Sequence, residues 1–496
     1  MSREIARGAA WMVLFRLLDR SIGVVSTAIL ARLLIPADFG LVAMAMSIIA
    51  VIELATAFGF EIALIQKRDA TREHFDTAWT LNVVIAVLGA AITVAAASPA
   101  ASFYGDMRLV PVMTAIAVAW MVYGFENIGT VYFRREMNFG AEFRFMAAKR
   151  LLAFIVTMTA AWLLQSYWAL VIGSMTGRIA GVALSYMMHP YRPRFALTRT
   201  RELFSFSGWV LANNIVGVVL SKVPHFFVGR VFGAQAVGTY TVAAEIAQLA
   251  QTELIAPINR AMFPGYSRLV AEPQAFRRTC LGATALIMLI VLPVSVGIAV
   301  LAGPFIRLLL GAQWGEAVPI IQVLAFAGAL QALTSNNVSA YLALGRPHLA
   351  TATLVARLLV LAVGIAWLYK RFGVLGVAYA ELLASMISMA VSLPTMFLTV
   401  GLSVHQYLRA LWRPLLASAV MGWIVAETTA APFAELDAAR AAWELFGGTL
   451  LGITTFPIML AGLWWAAGKP EAIEIDILRK LLEIWRERRA GQKQPV

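Results

Sequence analysis

The sequence predicts an all-α polytopic membrane protein of about fourteen transmembrane helices, and three observations carry that expectation. Of 496 residues, 60% are hydrophobic and only 14% are charged, with a mean hydropathy of +0.78, far from the charge-rich surface of a soluble domain. Apolar runs long enough to cross ~30 Å of hydrocarbon, which takes about 20 helical residues, recur fourteen times. Lys and Arg, finally, collect on alternate loops.

The runs fall near 9–34, 39–62, 76–98, 109–133, 145–165, 168–189, 206–232, 236–262, 279–302, 318–344, 349–369, 373–400, 407–427 and 441–466. Between them stand Ile35-Pro36-Ala37-Asp38, Ser98-Pro99, Gly303-Pro304 and Gly345-Arg346-Pro347, where Pro and Gly are expected to stop a helix.

Fourteen spans place both termini on one side of the membrane. The loops on that side hold 28 Lys and Arg, the opposite loops only five, and seven lie within spans. By the excess of positive charge in cytoplasmic loops, both termini are expected in the cytoplasm of a bacterial inner membrane. The net charge of +13 is then a topology signal, and no nucleic-acid partner is expected. The first apolar run continues to Leu34 without a small-residue cleavage site, so the first helix is expected to stay and not to be removed as a signal peptide. The single cysteine, Cys280, excludes an internal disulfide and a cysteine-cluster metal site.

A shift of 198 residues places Trp11 on Trp209, Arg32 on Arg230, Gly40 on Gly238, Ala45 on Ala243 and Ile48 on Ile246. Six helices per repeat is an even number, so both copies run the same way through the membrane, as parallel repeats about an axis along its normal. The expected organisation is a six-helix lobe over 1–200, a second over 201–402, two additional transmembrane helices over 403–466, and a cytoplasmic amphipathic tail over 467–496. Two six-helix bundles facing each other would enclose a central cavity. In the tail, Ile473, Ile477, Leu481, Ile484 and Trp485 stand at helical spacing between charges, which suits a helix on the lipid surface, a partner-binding helix or a loose tail.

Charges inside spans are costly, about 2.5 to 3.5 kcal/mol for Arg or Asp at the bilayer centre. Arg16, Asp19, Arg20 and Gly23 recur at i, i+3, i+4 and i+7, one face of the first helix. Either the arginine stems snorkel to the cytoplasm while Asp19 neutralises them, or the face lines a water-filled cavity and offers planar donors to phosphate oxygens. Glu53 and Glu61 lie eight apart on the second helix, and the repeat shift lands them on Gln251 and Asn259. Asn213, Asn214, Lys222 and His225 occupy the seventh helix, with Asn214 at the repeat position of Arg16. His225 is either packed structure or a proton relay. Glu126, Arg178, Glu245, Glu253, Arg357 and Glu381 complete the intramembrane set, several of them expected to pair with one another. The candidate substrate-binding set is Arg16, Asp19, Arg20, Glu53, Glu61, Asn213, Asn214, Lys222, His225 and Arg357; no catalytic or metal-binding residue is assigned.

No GxxxxGK[ST] loop, HExxH, CxxC or nucleophile elbow is present, so neither ATP hydrolysis nor a familiar hydrolase chemistry is expected. The predicted outer loops are short, which argues against a polymerase or ligase. No cofactor is expected, and any driving force comes from H+, Na+, the membrane potential or substrate gradients.

The segments "ILARLLIPADFGLVAMA" (29–45), "GAQAVGTYTVAAEIAQLAQTELIAPINRAMFPGYSRL" (233–269) and "ALGRPHLATATL" (343–354) make the chain resemble polysaccharide exporters of the MOP superfamily. Within it the likeness is to the Wzx-type oligosaccharide flippases of the colanic acid and teichuronic acid exporter branch. The resemblance spans nearly the whole chain, through loose motifs of Gly, Pro and apolar residues. It implies two lobes in a V and a flippase that moves undecaprenyl-diphosphate-linked oligosaccharide from the inner to the outer leaflet by alternating access, for exopolysaccharide or lipopolysaccharide biosynthesis. Its partners would be the lipid-linked oligosaccharide, membrane lipid, and a polymerase with chain-length machinery. It also implies that first-helix arginines, here Arg16 and Arg20, face the cavity. The multidrug branch of the superfamily relies instead on acidic cation-coupling residues, so Asp19, Glu53 and Glu61 keep an ion-coupled small-molecule exporter open. A membrane enzyme or assembly subunit of a polysaccharide machine is the third alternative.

Overall fold

The computed structural model describes residues 2–55, 60–67, 69–429 and 431–469, with side chains for all of these except 2–10, 55, 62, 66, 203–216, 256, 260, 261, 263 and 264. The amphipathic tail expected over 467–496 lies outside the described residues beyond Lys469. Among the described residues the regular structure is helical: α1 (Ser2–Leu33), α2 (Pro36–Ala55), α3 (Phe60–Gln66), α4 (Arg72–Tyr104), α5 (Leu109–Tyr123), α6 (Val131–Arg135), α7 (Phe139–Leu164), α8 (Trp168–Met188), α9 (Thr200–Ala247), α10 (Ala256–Leu269), α11 (Pro273–Val300), α12 (Ala302–Leu309), α13 (Ala317–Ala343), α14 (Pro347–Met396), α15 (Val404–Thr428) and α16 (Ala438–Ala466).

Among the described residues nine helices are long and apolar enough to cross a membrane, ten if α5 and the bent segment after it form one span. The protein is a multi-pass membrane protein. Two of the longest helices are broken, α9 at Gly233 (φ 79°) and α14 at Gly373 (φ 59°), left-handed positions that only glycine adopts cheaply. These breaks match the expected gaps at 232–236 and 369–373, and the helix order is consistent with fourteen spans.

Helix ends follow local chemistry. Pro36 opens α2, and the Asp38 carboxylate accepts from the backbone N–H of Ile35 at 3.2 Å and of Tyr167 at 3.2 Å, tying the α1–α2 turn to the start of α8. Gly345 (φ 68°) and Pro347 separate α13 from α14 as expected. The stop expected at Ser98-Pro99 is corrected: α4 runs through Pro99 to Tyr104 and closes on Gly105 (φ 72°). Proline forfeits a single hydrogen bond so near a helix end, and packing of Ala97, Ala100, Ala101 and Tyr104 carries the last turns.

Contacts divide the chain into two compact units, Met1–Thr241 with Leu309–Trp314, and Val242–Leu308 with Gly315–Val496. In the first, Phe60, Leu64, Phe75, Trp79, Ile128 and Val131 form a buried cluster. Segment 189–197 is extended and is stitched along α4: Tyr191 Oη donates to Asp76 Oδ1 (2.8 Å), Arg194 N to the same oxygen (3.0 Å), and Ala196 N to Thr80 Oγ1 (2.9 Å). The start of α2 also meets the second half of α9. A Cβ on Gly40 would overlap the Ala234 carbonyl, and one on Gly238 would overlap the Pro36 carbonyl. In the second unit, Tyr266 donates to Asn336 Oδ1 (2.6 Å), and Asn336 in turn donates to Thr284 Oγ1 (3.1 Å), so a buried amide is satisfied on both sides.

Candidate functional site

Helix α8 carries Gly173, Gly177 and Gly181 at four-residue spacing, a small-residue stripe that lets another helix approach its backbone closely. The helix that approaches is α7. A Cβ on Gly173 would overlap Thr157 Oγ1, one on Gly177 would rest 3.4 Å from Ala153, and one on Gly181 would come 2.8 Å from Lys149 Nζ. The close fit fixes the rotation of α7 and turns its polar face, Glu142, Lys149 and Arg150, inward. Asn138 begins that helix by accepting from the N–H of Ala141 at 3.2 Å.

That face borders a cavity of about 480 Å³ in the first unit. Helix α1 contributes Phe15, Asp19, Ile22 and Ser26, a single face at i, i+4, i+7 and i+11. The chain bends by 67° between α5 and residues 128–135, and Glu126, in that bend, also lines the cavity. Eight charged side chains line it, four of each sign: Asp19, Glu61, Glu126 and Glu142 against Arg134, Lys149, Arg150 and Arg178.

The charges are matched in pairs. Arg150 Nε lies 2.8 Å from Asp19 Oδ1, Lys149 Nζ 3.2 Å from Glu126, and Arg178 Nη2 2.7 Å from Glu53. Arg134 serves both Glu142 and, at 3.5 Å, Glu61. The Tyr123 ring sits under two of the cations, 5.0 Å from Lys149 Nζ and 5.9 Å from the Arg178 guanidinium, adding cation–π attraction. Exposure ranks these pairs: Asp19 and Arg150 are 47% and 42% exposed, Glu126 and Lys149 only 16% and 28%. A pair as open as Asp19 and Arg150 contributes about 0–1 kcal/mol. Separating Asp19 from Arg150 would therefore cost little and would expose a planar two-pronged donor.

The second unit holds an apolar cavity of about 540 Å³ bordered by Phe305, Met421 and Phe456, and a second, smaller polar cavity of about 300 Å³ lined by Gln251, Asn259, Gln331, Arg357 and several hydroxyl side chains. Arg357 pairs there with Glu381.

A family model described as "Polysaccharide biosynthesis protein" matches residues 29–319. The chain belongs to that family. It is 24% identical over 431 residues to the teichuronic acid biosynthesis protein TuaB of Bacillus subtilis, covering 86% of this chain and 89% of the relative. It is 22% identical over 326 residues to the succinoglycan biosynthesis transport protein ExoT of Rhizobium meliloti, covering 65% of this chain and 66% of that one. Its fold is that of the lipid II flippase MurJ in an inward closed conformation, with a TM-score of 0.73 at 13% identity over 92% of this chain and 99% of the other.

Within this polysaccharide biosynthesis protein, the residues singled out from sequence fall in several places. Asp19 and Glu61 line the charged cavity, and Glu53 holds one of its cations. Arg16 is exposed on α1 and Arg20 is half-buried there; neither is among the lining residues. Lys222 and His225 are half-buried on α9, with His225 Nδ1 3.2 Å from the Ser221 carbonyl and its ring edge-on to Tyr240 at 5.6 Å; they line neither cavity. The side chains of Asn213 and Asn214 lie outside the described residues. Arg357 borders the second cavity.

The cations that dominate the first cavity escape a linear charge count. Arg134, Lys149 and Arg150 fall in a stretch read from sequence as a basic loop, yet Lys149 and Arg150 stand in the third turn of α7. The signal was present as Glu142, Met146, Lys149, Arg150, Ala153 and Thr157 at steps of three and four, one helix face, opposite the glycine stripe of α8.

Proposed function

We propose that this protein is a flippase that carries undecaprenyl-diphosphate-linked oligosaccharide from the cytoplasmic to the outer leaflet of a bacterial inner membrane by alternating access, with both termini cytoplasmic. The observation that supports this most directly is the set of carboxylate-paired cations in the first cavity, the Asp19–Arg150 pair among them being the most open. A diphosphate cannot cross hydrocarbon with its charges bare. Arg150, Lys149 and Arg178 replace its hydration, while Arg16 and Arg20 on α1 supply further positive charge along its path.

Displacement also gives a route to coupling. When the diphosphate takes Arg150 and Lys149, Asp19 and Glu126 lose their partners and become sites for H+ or Na+. Ion binding and substrate binding then favour each other, with no cofactor and no covalent step. The chain thus acts as a transporter and not as an enzyme, delivering repeat units to a polymerase with its chain-length machinery. The relatives named for teichuronic acid and succinoglycan biosynthesis agree with such a place in surface polysaccharide assembly.

Reconstitution in liposomes with a fluorescently labelled lipid-linked saccharide tests the proposal. The label should reach the opposite leaflet with its mass unchanged. Arg150→Ala and Lys149→Ala should each slow transfer by about tenfold, the equivalent of ~1.4 kcal/mol. Unchanged rates in both well-folded variants would remove the assigned role, and a change in substrate mass would favour an enzyme.

A further inference from the structure

The 198-residue shift that relates the two halves carries Glu53 onto Gln251 and Glu61 onto Asn259. In the first unit those acids belong to the charged cavity. In the second unit their counterparts line the smaller one. The two cavities are thus built at equivalent places in the repeat, but at these two positions carboxylates have become neutral amides.

The second cavity is also balanced differently in donors and acceptors. Thr334, Ser335, Thr353 and Ser385 each donate their hydroxyl proton to a carbonyl of their own helix, at 2.6 to 3.2 Å. Their oxygens keep lone pairs free to accept. Asn259 Oδ1 is shielded from solvent and accepts no hydrogen bond among the described residues, and Arg357 Nε donates none. Gln331 links Gln251 at one side to Glu381 (3.2 Å) and Ser385 (3.1 Å) at the other, and Glu381 neutralises Arg357. A wide helical turn over Gln251–Ile255 precedes α10, a distortion often found where a helix serves a site. Orphaned buried polar atoms are costly, about 1 to 3 kcal/mol each, so a ligand in the cavity that offered a donor to Asn259 Oδ1 and an acceptor to Arg357 Nε would relieve both.

Three ligand classes can be compared on these grounds. An anion such as the diphosphate meets a wall of acceptors and a cation held by Glu381 in a pair only 16% and 13% exposed, far less open than Asp19 with Arg150. A bare metal ion needs several oxygens closing on one point, and 300 Å³ is far more than the ~30 Å³ share of a single water; it lies at the low end of small-molecule pockets, roughly 300–1,000 Å³. A sugar hydroxyl both donates and accepts, and its ring presents C–H faces to apolar walls such as Ile255, Val338 and Leu354.

We propose that the second unit's polar cavity binds a neutral sugar residue of the transported lipid. The first cavity handles the charged diphosphate and the second reads hydroxyl groups, so the halves of the repeat have specialised by charge. This inference rests on the flippase proposal above, and it predicts that sugar recognition is separable from diphosphate recognition.

The test measures binding of two probes to the purified full-length protein by native mass spectrometry: undecaprenyl diphosphate, and a lipid-linked saccharide extracted from cells lacking this protein. Wild type should prefer the saccharide-bearing lipid. Asn259→Leu should lose about tenfold in affinity for that lipid and leave undecaprenyl diphosphate binding unchanged. Thr334→Val, which keeps shape while removing the hydroxyl, should shift the same preference in the same direction and serves if Asn259→Leu fails to fold. Equal loss for both lipids, or unchanged preference in the folded variants, would overturn the sugar site while leaving the flippase proposal standing. If wild type binds neither probe, both fall. A change only in the sodium dependence of binding would make the cavity a cation site and also overturn the inference.

Discussion

Asp19 is the residue whose role changes most between sequence and structure. On the first helix it neutralises its neighbours Arg16 and Arg20 in one reading, yet its carboxylate lies 2.8 Å from Arg150 on α7. Under the flippase proposal it would compete with the incoming anion for Arg150. Asp19→Asn should leave thermal stability within about 1 kcal/mol of wild type, because the pair is half-exposed. The same change should tighten binding of undecaprenyl diphosphate by about fivefold, ~1 kcal/mol, and slow its release; a titration showing weaker binding would refute the competitor role. The acid of this pair was legible in the sequence, because a charge in an apolar run stands out at once. Arg150 was not, because it lies where basic loop and helix start share the same composition, and only packing against α8 shows which way it points.

At the scale of elements, the contact of α7 with α8 sets the geometry of the charged cavity. Gly173 and Gly177 lie on the same stripe but differ in the room they leave. A side chain at 173 collides with Thr157, whereas one methyl at 177 makes ordinary contact with Ala153. Gly173→Val should destabilise the protein by about 1 to 3 kcal/mol through overpacking and impair transport with it, as α7 is pushed aside and Lys149 and Arg150 leave their places. Gly177→Ala should be close to neutral in both. Thermal unfolding in detergent, read beside transport in liposomes, separates the outcomes; equal effects would mean that the stripe is not the fulcrum. Most elements were legible because apolar length and Pro-Gly turns are local signals, as at Gly345 and Pro347. Pro99 misleads for the same reason: its local rule is overridden by the packing of the turn that follows.

At the scale of the whole molecule, two glycines paired by the 198-residue shift make reciprocal close contacts between α2 and α9. Gly40 and Gly238 are equivalent under the 198-residue shift, as are Pro36 and Ala234. A side chain on Gly40 would strike Ala234, and one on Gly238 would strike Pro36, so the contact between α2 and α9 is reciprocal, as in a two-fold self-complementary interface. This makes both glycines necessary for the same close approach of α2 and α9. Gly40→Ala and Gly238→Ala should then each destabilise the protein by about 1 to 3 kcal/mol, and by similar amounts. The double variant should cost clearly less than their sum, because one separation of the two backbones relieves both overlaps; contacting sites commonly show such coupling at roughly 0.5 to 3 kcal/mol. Additive losses in thermal unfolding would mean that the two overlaps are independent, and the reciprocal contact would then be geometry without mechanical consequence. A non-additive result would show that one separation of α2 from α9 relieves both overlaps.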